Sequence, residues 1–317
     1  MLAVEPRSDA NHTAVTEFIL LGFGRGPGLQ LVLFVMFLVI YAITVLGNIT
    51  LVLTIKADSR LHTPMYFFLM NLSLLDFCYS STITPRAMAS FLTGSKTISY
   101  RGCATQFFFF SLFVTMEAFI LAAMAYDRYT AICNLLRYSA AMSKLVYIQL
   151  LVGCYICGSL NSMLQTGFTF TLRFCASEID HFFCDVPPLL NLSCTNTYIN
   201  QMVLFPLCGL IIVTTALIIL LSYASIISAV LQMRSAVARR KTFSTRTSHI
   251  VVVSIFYGTV SFMYAQPSLL STPDQSKVVS VFYTLVIPMV NPFIYSLRNK
   301  EVKESLRKTA GWILVLK

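Results

Sequence analysis

The chain has 317 residues, of which 56% are hydrophobic and 11% are charged, whereas about 25% of residues are charged in a typical soluble domain. This composition excludes an ordinary soluble domain and indicates a membrane protein. The formal net charge of +10 comes mainly from basic residues between the apolar stretches, which indicates membrane topology and not nucleic-acid binding.

Seven stretches of the chain are long and apolar enough to cross a bilayer, which takes about 20 helical residues. The fifth is long enough for two spans, but its first residues, from Val186 to Asn196, have the polar, Pro-rich composition of a loop, so we assign it one span. The stretches are residues 26–55, 61–85, 102–126, 145–172, 186–233, 247–273 and 278–297. The sequence therefore predicts an all-α fold, a seven-transmembrane helix bundle.

Lysine and arginine residues set the expected orientation of the bundle. With the N-terminus outside, 16 of the 23 basic residues lie on the cytoplasmic side, as the positive-inside rule requires. We therefore expect an extracellular segment at 1–27, a seven-span membrane domain at 28–297 and a cytoplasmic tail at 298–317. The tail alternates basic and apolar residues from Arg298 to Ala310, which predicts a short amphipathic helix on the inner leaflet.

Four polar side chains stand deep inside the predicted spans. Asn48 lies in span one, Asp76 in span two, Glu117 in span three and Asn291 in span seven. In hydrocarbon such groups need partners on neighbouring helices. The two carboxyl groups are either protonated and hydrogen-bonded or form, with the two amides, a polar cluster that holds a cation.

A charged pair, Asp127 followed by Arg128, stands at the cytoplasmic end of the third span. A charge in hydrocarbon costs about 3 kcal/mol on insertion scales, so an ionisable residue at that depth is a functional candidate. An arginine near the end of a span can also simply extend its guanidinium to the lipid headgroups. The pair alone leaves both interpretations open.

Three strings are more specific than any single residue in them. Leu61-His-Thr-Pro-Met-Tyr-Phe-Phe-Leu69 opens span two, Met124-Ala-Tyr-Asp-Arg-Tyr-Thr-Ala-Ile-Cys133 ends span three, and Pro288-Met-Val-Asn-Pro-Phe-Ile-Tyr-Ser-Leu-Arg-Asn299 ends span seven. They resemble the corresponding signatures of olfactory receptors, a branch of the rhodopsin-like G-protein-coupled receptors. The resemblance covers the chain from Phe18 to about Lys308.

The resemblance implies a conformational switch that couples ligand binding to a heterotrimeric G protein. Pro292 removes a backbone donor in mid-helix, which makes a site where span seven can bend. The expected coupling residues are Asp127, Arg128, Tyr129, Tyr223, Asn291, Pro292 and Tyr295. The resemblance also implies that Asn48, Asp76 and Glu117 belong to a polar core that can hold Na⁺.

One face of span three carries side chains at i, i+3, i+4 and i+7, a stripe that is commonly core packing. By resemblance, the same face lines the ligand pocket. The expected ligand-binding residues are Phe110, Ser111, Val114, Thr115, Leu207, Ile211, Tyr257, Val260, Ser261, Tyr264, Val281 and Thr284. Because none of them is charged, we expect uncharged, volatile ligands with about one hydrogen-bonding group.

The outer loops carry the expected covalent modifications. Four of the nine cysteines, Cys103, Cys175, Cys184 and Cys194, lie in or beside these loops, where an oxidising compartment favours disulfides. Four cysteines allow three pairings, and the resemblance implies Cys103–Cys184 and Cys175–Cys194. Their spacing fits no compact zinc site, so we expect no metal there. Asn11-His-Thr is a glycosylation sequon in the outer segment.

We expect an odorant receptor at the plasma membrane of olfactory cilia, coupled to a stimulatory G protein that raises cyclic AMP. The sequence has no phosphate-binding loop or Gly-x-Ser-x-Gly elbow, so we expect no enzyme. A rhodopsin-like receptor acting outside the olfactory epithelium would share every feature, and a transporter or channel would need a longer polar path. Leu135 and Arg246 replace the Pro and Cys usual in the family, which puts coupling in question.

Overall fold

The computed structural model describes the backbone of residues 15–24, 26–232, 236–265, 273–298 and 300–315, and the side chains of residues 15–24, 26–232, 248–262, 275–296 and 301–308. The expected glycosylation site at Asn11 lies outside these ranges. The side chains of Arg246 and Tyr264 also lie outside them.

Helices make up most of the described chain. In chain order they are α1 (Pro27–Ala57), α2 (Pro64–Thr93), α3 (Tyr100–Cys133), α4 (Tyr138–Ala141), α5 (Lys144–Phe170), α6 (Val186–Asn191), α7 (Tyr198–Leu231), α8 (Ala236–Ala265), α9 (Pro273–Val281), α10 (Ile287–Arg298) and α11 (Lys300–Val315), with 3₁₀ turns at Ser59–Leu61 and Leu135–Arg137 and a π turn at Phe282–Val286. The π turn joins α9 to α10 in one continuous segment. Within the described residues, seven long segments therefore form the bundle.

Length and composition identify five of these segments as able to cross a membrane. In the described chain they are Pro27–Ala57, Tyr100–Cys133, Lys144–Phe170, Tyr198–Leu231 and Gln275–Ser296. Helix α2 is less apolar because its buried face includes Asp76, Ser80 and Thr84. Helix α8 begins with basic residues, so its apolar part is limited to Ser248–Phe262.

The centre of the bundle is α3, which packs against α2, α5 and α7. The fraction of its most apolar window that is buried is 67%, against 17% for α1 and α7. The contact between α3 and α5 depends on Gly158, because a Cβ atom there would lie 2.7 Å from Met116 Cγ and 3.3 Å from Leu112 Cδ1. Small residues allow such close approach of membrane helices.

A small sheet lies at the end of the bundle that holds the loop after α5. The expectation of an all-α fold did not include these strands. Its strands are β1 (Glu17–Leu20), β2 (Thr97–Ser99) and β3 (Glu178–Ile179). The order is β2-β1-β3, with β1 antiparallel to β2 and parallel to β3. Strands this short give too little alternation to be recognised in the sequence. We call this end of the bundle the cap end.

Two disulfides fasten the cap end. Cys103, in the first turn of α3, bonds to Cys184, and Cys175 bonds to Cys194. The Cα atoms of the two pairs are 5.7 and 5.4 Å apart, respectively, within the ordinary range for disulfides. These are the pairs that the resemblance implied.

The segment that we expected to be a loop before span five contains the short helix α6. Asp185 caps it, since its Oδ1 accepts a hydrogen bond from the Val186 N–H at 2.8 Å. Two prolines occupy its first turn, where the missing N–H groups would have no helical partner in any case. The prolines therefore start a helix here instead of preventing one.

The tail helix α11 continues to Val315, beyond its expected end at Ala310. It is docked against the bundle, because Val302 is fully buried and the Tyr66 hydroxyl of α2 donates to Glu301 Oε2 at 2.6 Å. The amphipathic pattern predicted the helix but not this polar contact with α2.

Substitution of Gly158 tests the helix packing. We expect Gly158→Ala to lower the free energy of unfolding by about 1–3 kcal/mol, because the added methyl group overpacks the α3–α5 contact. Gly153→Ala, on the same helix, is the matched control, since a Cβ atom there meets nothing within 4 Å. The measurement is the thermal unfolding temperature of detergent-purified protein; equal temperatures for the two variants would contradict the packing argument.

Candidate functional site

A cavity lies inside the bundle between α3, α5, α7 and α8; we call it the bundle cavity. Its volume is about 40 Å³, which leaves room for a few water molecules at most. The described residues that line it are Phe110, Ser111, Val114, Thr115, Ala118, Asn161, Gln165, Cys208, Ile211, Ile212, Phe256 and Val260. None of these side chains is charged.

The structure brings half of the expected ligand-binding residues together. Those that line the bundle cavity are Phe110, Ser111, Val114, Thr115, Ile211 and Val260. On α8 the lining residues are Phe256 and Val260, whereas Ser261 is exposed and Tyr257 is half-buried. The cavity-facing stripe of α8 is therefore rotated by about one residue from the expected one, because neighbouring apolar residues make the stripe ambiguous in sequence.

The remaining expected residues lie nearby without lining the cavity. Leu207 is half-buried next to the lining residue Cys208. Val281 is half-buried, and the hydroxyl of the buried Thr284 donates to its own helix at the Ser280 carbonyl oxygen, at 2.7 Å. That hydroxyl is therefore engaged away from the bundle cavity.

A chain of amides that we did not anticipate forms one wall of the cavity. Asn161 Nδ2 donates to Thr115 Oγ1 at 2.8 Å, and Gln165 Nε2 lies 3.2 Å from Asn161 Oδ1 and 3.1 Å from Cys208 Sγ. Two amides four residues apart in span four were the sequence signal, since buried amides need partners on other helices. Ser111 Oγ is also buried and has no hydrogen-bond partner in the described chain.

The loop after α5 covers the cavity; we call residues 180–185 the roof loop. His181, Phe182 and Phe183 are 2%, 3% and 0% exposed. The Phe183 ring lies 5.0 Å from the ring of the lining residue Phe110. The disulfide of Cys184 holds the loop to α3.

Polar contacts join the roof loop to α9 and the π turn. Lys277 Nζ lies 2.6 Å from Asp180 Oδ1, and the Tyr283 hydroxyl donates to Asp185 Oδ2 at 3.3 Å. Lys277 is 5% exposed, but the Asp180 side chain is 49% exposed, so only the ammonium end of this ion pair is withdrawn from solvent. Removal of Asp180 would leave the buried ammonium group of Lys277 without its carboxylate partner.

Burial shifts the pKa values of two roof-loop groups in opposite directions. Desolvation lowers the pKa of His181 from 6.5 to about 3, and the positive charge of Lys277 acts in the same direction. Desolvation raises the pKa of Asp185 from 3.8 to about 6, partly offset by the Val186 N–H and the Tyr283 hydroxyl. The imidazole is therefore neutral near pH 7.

A second polar cluster lies deeper in the bundle, where α1, α2, α3 and α10 meet. Asn291 Nδ2 donates to Asp76 Oδ2 at 2.9 Å, and Asn48 Nδ2 donates to the Pro288 carbonyl oxygen at 3.0 Å. Three buried oxygens, Asp76 Oδ1, Glu117 Oε1 and Asn48 Oδ1, have no hydrogen-bond partner among the described residues. Such oxygens are of the kind that hard cations prefer as ligands.

The described part of the chain contains no group of three or more His, Cys, Asp or Glu side chains placed to hold a metal ion. The deeper polar cluster has two carboxyl groups, Asp76 and Glu117, beside the amides of Asn48 and Asn291.

At the far end of the bundle from the cap end, Arg128 joins three helices. Its Nη1 donates to the Tyr223 hydroxyl of α7 at 3.3 Å, and that hydroxyl lies 2.6 Å from Nδ1 of His249 on α8. Asp127 instead accepts a hydrogen bond from the Tyr138 hydroxyl of α4 at 2.9 Å. Tyr138 and His249, which we did not anticipate, therefore contact two of the expected coupling residues, Asp127 and Tyr223.

The other expected coupling residues lie on α10 and α3. Pro292 packs against Gly47 of α1, since a Cβ atom at Gly47 would lie 3.3 Å from Pro292 Cγ. Tyr295 is buried, and its hydroxyl has no hydrogen-bond partner in the described part of the chain. Tyr129 is half-buried, with its ring 6.2 Å from that of Tyr126.

A family model described as olfactory receptor matches residues 37–311. The chain belongs to the olfactory receptor family. Human olfactory receptor OR9H1 is 58% identical over 300 residues, which cover 94% of this chain and 97% of that protein. Mouse olfactory receptor 9S13 is 54% identical over 307 residues, which cover 96% of this chain and 92% of that protein.

The fold of this olfactory receptor is that of squid rhodopsin. The two structures superpose with a TM-score of 0.69, over 92% of this chain and 88% of the rhodopsin chain, at 19% sequence identity. Family and fold together identify a multi-pass membrane protein that is a signalling receptor and not an enzyme.

The opposite pKa shifts in the receptor's roof loop predict opposite pH dependences when either group is removed. In the His181→Asn variant only Asp185 contributes. Because the pKa of Asp185 is raised to about 6 in the folded state, it adds stability at low pH that is lost as the pH rises through about 6. The free energy of unfolding of this variant therefore increases on acidification. Asp185→Asn leaves His181, whose lowered pKa adds stability above 6.5 that is lost as pH falls toward about 3.

Melting temperatures of the purified variants between about pH 7 and pH 4 check this prediction. The free energy of unfolding should change by up to about 1.4 kcal/mol per pH unit in each variant. The unmodified receptor should vary least between about pH 6 and pH 4, because the two contributions oppose each other there. If both variants change in the same direction, the two groups do not titrate as their burial requires.

Proposed function

We propose that the chain is an odorant receptor that binds small, uncharged, volatile molecules in the bundle cavity and activates a stimulatory, olfactory-type G protein, which raises cyclic AMP. The observation that carries the proposal is the cavity lining, which is apolar except for hydroxyl, thiol and amide groups. Such a lining favours a neutral ligand held by a few polar contacts. The names of the relatives, all olfactory receptors, support the sensory role.

The contracted state of the cavity suggests how a ligand acts. Its volume is about 40 Å³, whereas ordinary ligand pockets have about 300–1,000 Å³, so an odorant selects a state in which the lining helices lie farther apart. Phe256 and Val260 belong to α8, the helix that also carries His249. A ligand that favours the wider state therefore weakens the contact of His249 with Tyr223 and shifts the population toward a state with α8 displaced from Arg128.

The surface beside Arg128 is suited to a protein partner. Leu135 and Leu136 are 73% and 99% exposed, and they follow the C-cap residue of α3, Asn134. Two adjacent exposed leucines indicate a surface that a partner covers. We propose that the G protein contacts this pair and enters the space that α8 leaves. Leu135 begins a 3₁₀ turn, so the loop stays ordered without the usual proline.

We place the cap end outside the cell and Arg128 inside, at the plasma membrane of olfactory cilia. The distribution of basic residues supports this orientation, as do the two disulfides at the cap end, because disulfides form in oxidising compartments. Lys303, Arg307 and Lys308 are exposed on α11 and would face anionic lipids of the inner leaflet. Glycosylation of Asn11 would follow from the same orientation.

We further propose that Asp76, Glu117 and Asn48 hold a Na⁺ ion, which would neutralise the buried carboxylates in the contracted state. Replacing choline by Na⁺ at constant ionic strength should then raise the melting temperature of the purified receptor, because an ion that binds the folded state stabilises it by RT ln(1 + [L]/Kd). Asp76→Asn should abolish the increase. Equal melting temperatures of the unmodified receptor in both salts would rule the ion out.

Cyclic-AMP production in cells that express the chain with trafficking helpers tests the proposed function. We expect at least one member of a panel of uncharged odorants to raise cyclic AMP, and Arg128→Ala to remove the response. Arg60→Ala is the matched control, since Arg60 is an exposed cytoplasmic arginine whose ion pair is with Asp58.

The surface amount of each variant is measured in parallel. Carboxylates or amines as the best agonists would contradict the proposed ligand class. Silence toward the whole panel despite good surface expression would contradict the proposed activity, and Leu135→Pro with Arg246→Cys would show whether the two departures from the family pattern are the cause.

Ser111 supplies a sharper test of the ligand contact. We expect Ser111→Ala to reduce the potency of an agonist with a hydrogen-bonding group about 2- to 12-fold, the equivalent of one hydrogen bond of about 0.5–1.5 kcal/mol. A hydrocarbon analogue of the same agonist should lose nothing. Ser80→Ala, outside the bundle cavity, is the control; equal losses for both ligands would mean that Ser111 has no direct contact.

A further inference from the structure

A second, wider cleft lies on the surface of the cap end; we call it the outer cleft. Its volume is about 840 Å³, which lies within the usual range for ligand sites of about 300–1,000 Å³. The described residues that line it are Val15, Thr16, Ser99, Tyr100, Arg101, Leu172, Arg173, Phe174, Cys194 and Thr195. None of them lines the bundle cavity.

The charge of the outer cleft is positive and unbalanced. Arg101 and Arg173 both line it, and none of the described lining residues is acidic. The nearest acid along β1 is Glu17, which lines a different cleft with Arg86. Thr16 lines the outer cleft and its neighbour Glu17 lines the other one, because successive side chains along an extended chain point to opposite sides.

The backbone adds to this positive potential. The first turn of α3, including Tyr100 and Arg101, forms part of the cleft wall, and it contains no acidic side chain. The first turn of a helix carries partial positive charge, which favours a bound anion. The Gly102 N–H already donates to Ser99 Oγ and the Tyr100 N–H to the Thr16 carbonyl oxygen, so the two guanidinium groups that line the cleft contribute most of the attraction for an anion.

Apart from the hydroxyl side chains of Thr16, Ser99 and Thr195, the rest of the cleft lining is apolar. Phe174 is 9% exposed, and its ring lies 6.2 Å from that of Tyr100. Val15 and Leu172 pack against the same hydrophobic cluster. The Tyr100 hydroxyl donates to the Phe170 carbonyl oxygen at 2.6 Å, which fixes the ring, and the disulfide of Cys194 holds the opposite wall. Such a surface can accept a hydrocarbon chain without rearrangement.

From these observations we propose that the outer cleft is a second ligand site, which binds a water-soluble amphiphile with one carboxylate head and an apolar tail, such as a medium-chain fatty acid. The carboxylate contacts Arg101 and Arg173, whose planar guanidinium groups match its geometry. The tail lies along Tyr100, Phe174 and Leu172. The ligand class is thus opposite in charge to the one proposed for the bundle cavity.

Occupation of the outer cleft would fasten separate elements together. The lining comes from the segment before β1, from the start of α3 and from the disulfide-bonded loop after α5. A ligand that binds all three stabilises the folded cap end, since binding to the native state alone always stabilises it. The melting temperature should therefore rise with ligand concentration, whether or not a neutral odorant is present.

Binding of laurate to the full-length receptor in phosphatidylcholine nanodiscs tests the proposal, with empty nanodiscs as the blank. We expect saturable binding at one site that weakens with ionic strength. Dodecanol, with the same tail and no charge, should bind about tenfold more weakly or not at all, because it loses the charge-assisted hydrogen bonds. Equal binding of the two probes would overturn the proposal.

Variants locate the site. Arg101→Gln with Arg173→Gln should weaken laurate binding about tenfold or more, and the corresponding Lys variants should retain part of it, since they keep the charge but lose the planar guanidinium geometry. Arg86→Gln with Lys96→Gln removes the same charge from residues outside the cleft and should have little effect. Undiminished binding to the Arg101/Arg173 Gln variant would overturn the proposal.

Two further measurements separate this site from other binding modes. Val114→Phe fills the bundle cavity and should leave laurate binding unchanged; a loss would assign laurate to the bundle cavity and overturn the proposal. Native mass spectrometry of the purified receptor shows whether a phospholipid is already bound. A retained phospholipid that laurate does not displace would make the cleft a bilayer lipid site and would also overturn it.

Discussion

A polar group inside a bilayer has no water to bond with, so it must find its partner within the protein. The contacts of α3 follow from this constraint at successive depths: Thr115 bonds to an amide of α5, and Arg128 bonds to a phenol of α7. Between them, Asn291 of α10 bonds to Asp76 of α2. Each partner lies on a different helix, so these few bonds fix how the helices are arranged. Apolar side chains alone would permit many arrangements, because lipid tails are as apolar as they are.

The same constraint explains which features the sequence could predict. The seven long helical segments could be predicted from long apolar stretches, because a bilayer requires such stretches, and polar residues inside them, such as Asp76 and Arg128, were recognisable as exceptions. The faces of the helices were harder. In α8, Phe256, Tyr257 and Val260 are all compatible with a buried stripe, and only packing shows that Phe256 and Val260 line the cavity. A periodic pattern shows which face of a helix is buried only when polar residues mark the other face, and the apolar part of α8 has few polar residues.

Loop structure was the least predictable part. The roof loop has no periodic pattern, yet His181 and Phe183 are among the most buried side chains of the receptor. The loop is held by the Cys184 disulfide, by the contact of His181 with Ser280 and by the hydrogen bond from Tyr283 to Asp185; Ser280 and Tyr283 are about 100 residues away in sequence. No local rule encodes such distant partners. The outer cleft could not be predicted from the sequence for the same reason, because its walls come from three separate segments.

The position of β1 in the small sheet has a consequence for receptor engineering. Because β1 is the middle strand, β2 and β3 are each bonded to it and not to each other. The loop between α2 and α3 and the loop after α5 are therefore joined, at this sheet, through residues Glu17–Leu20. Exchanging N-terminal segments between two receptors would transplant the central strand of this sheet. A chimera joined after Leu20 replaces the strand to which both loops are bonded, whereas one joined before Glu17 retains the receptor's own strand.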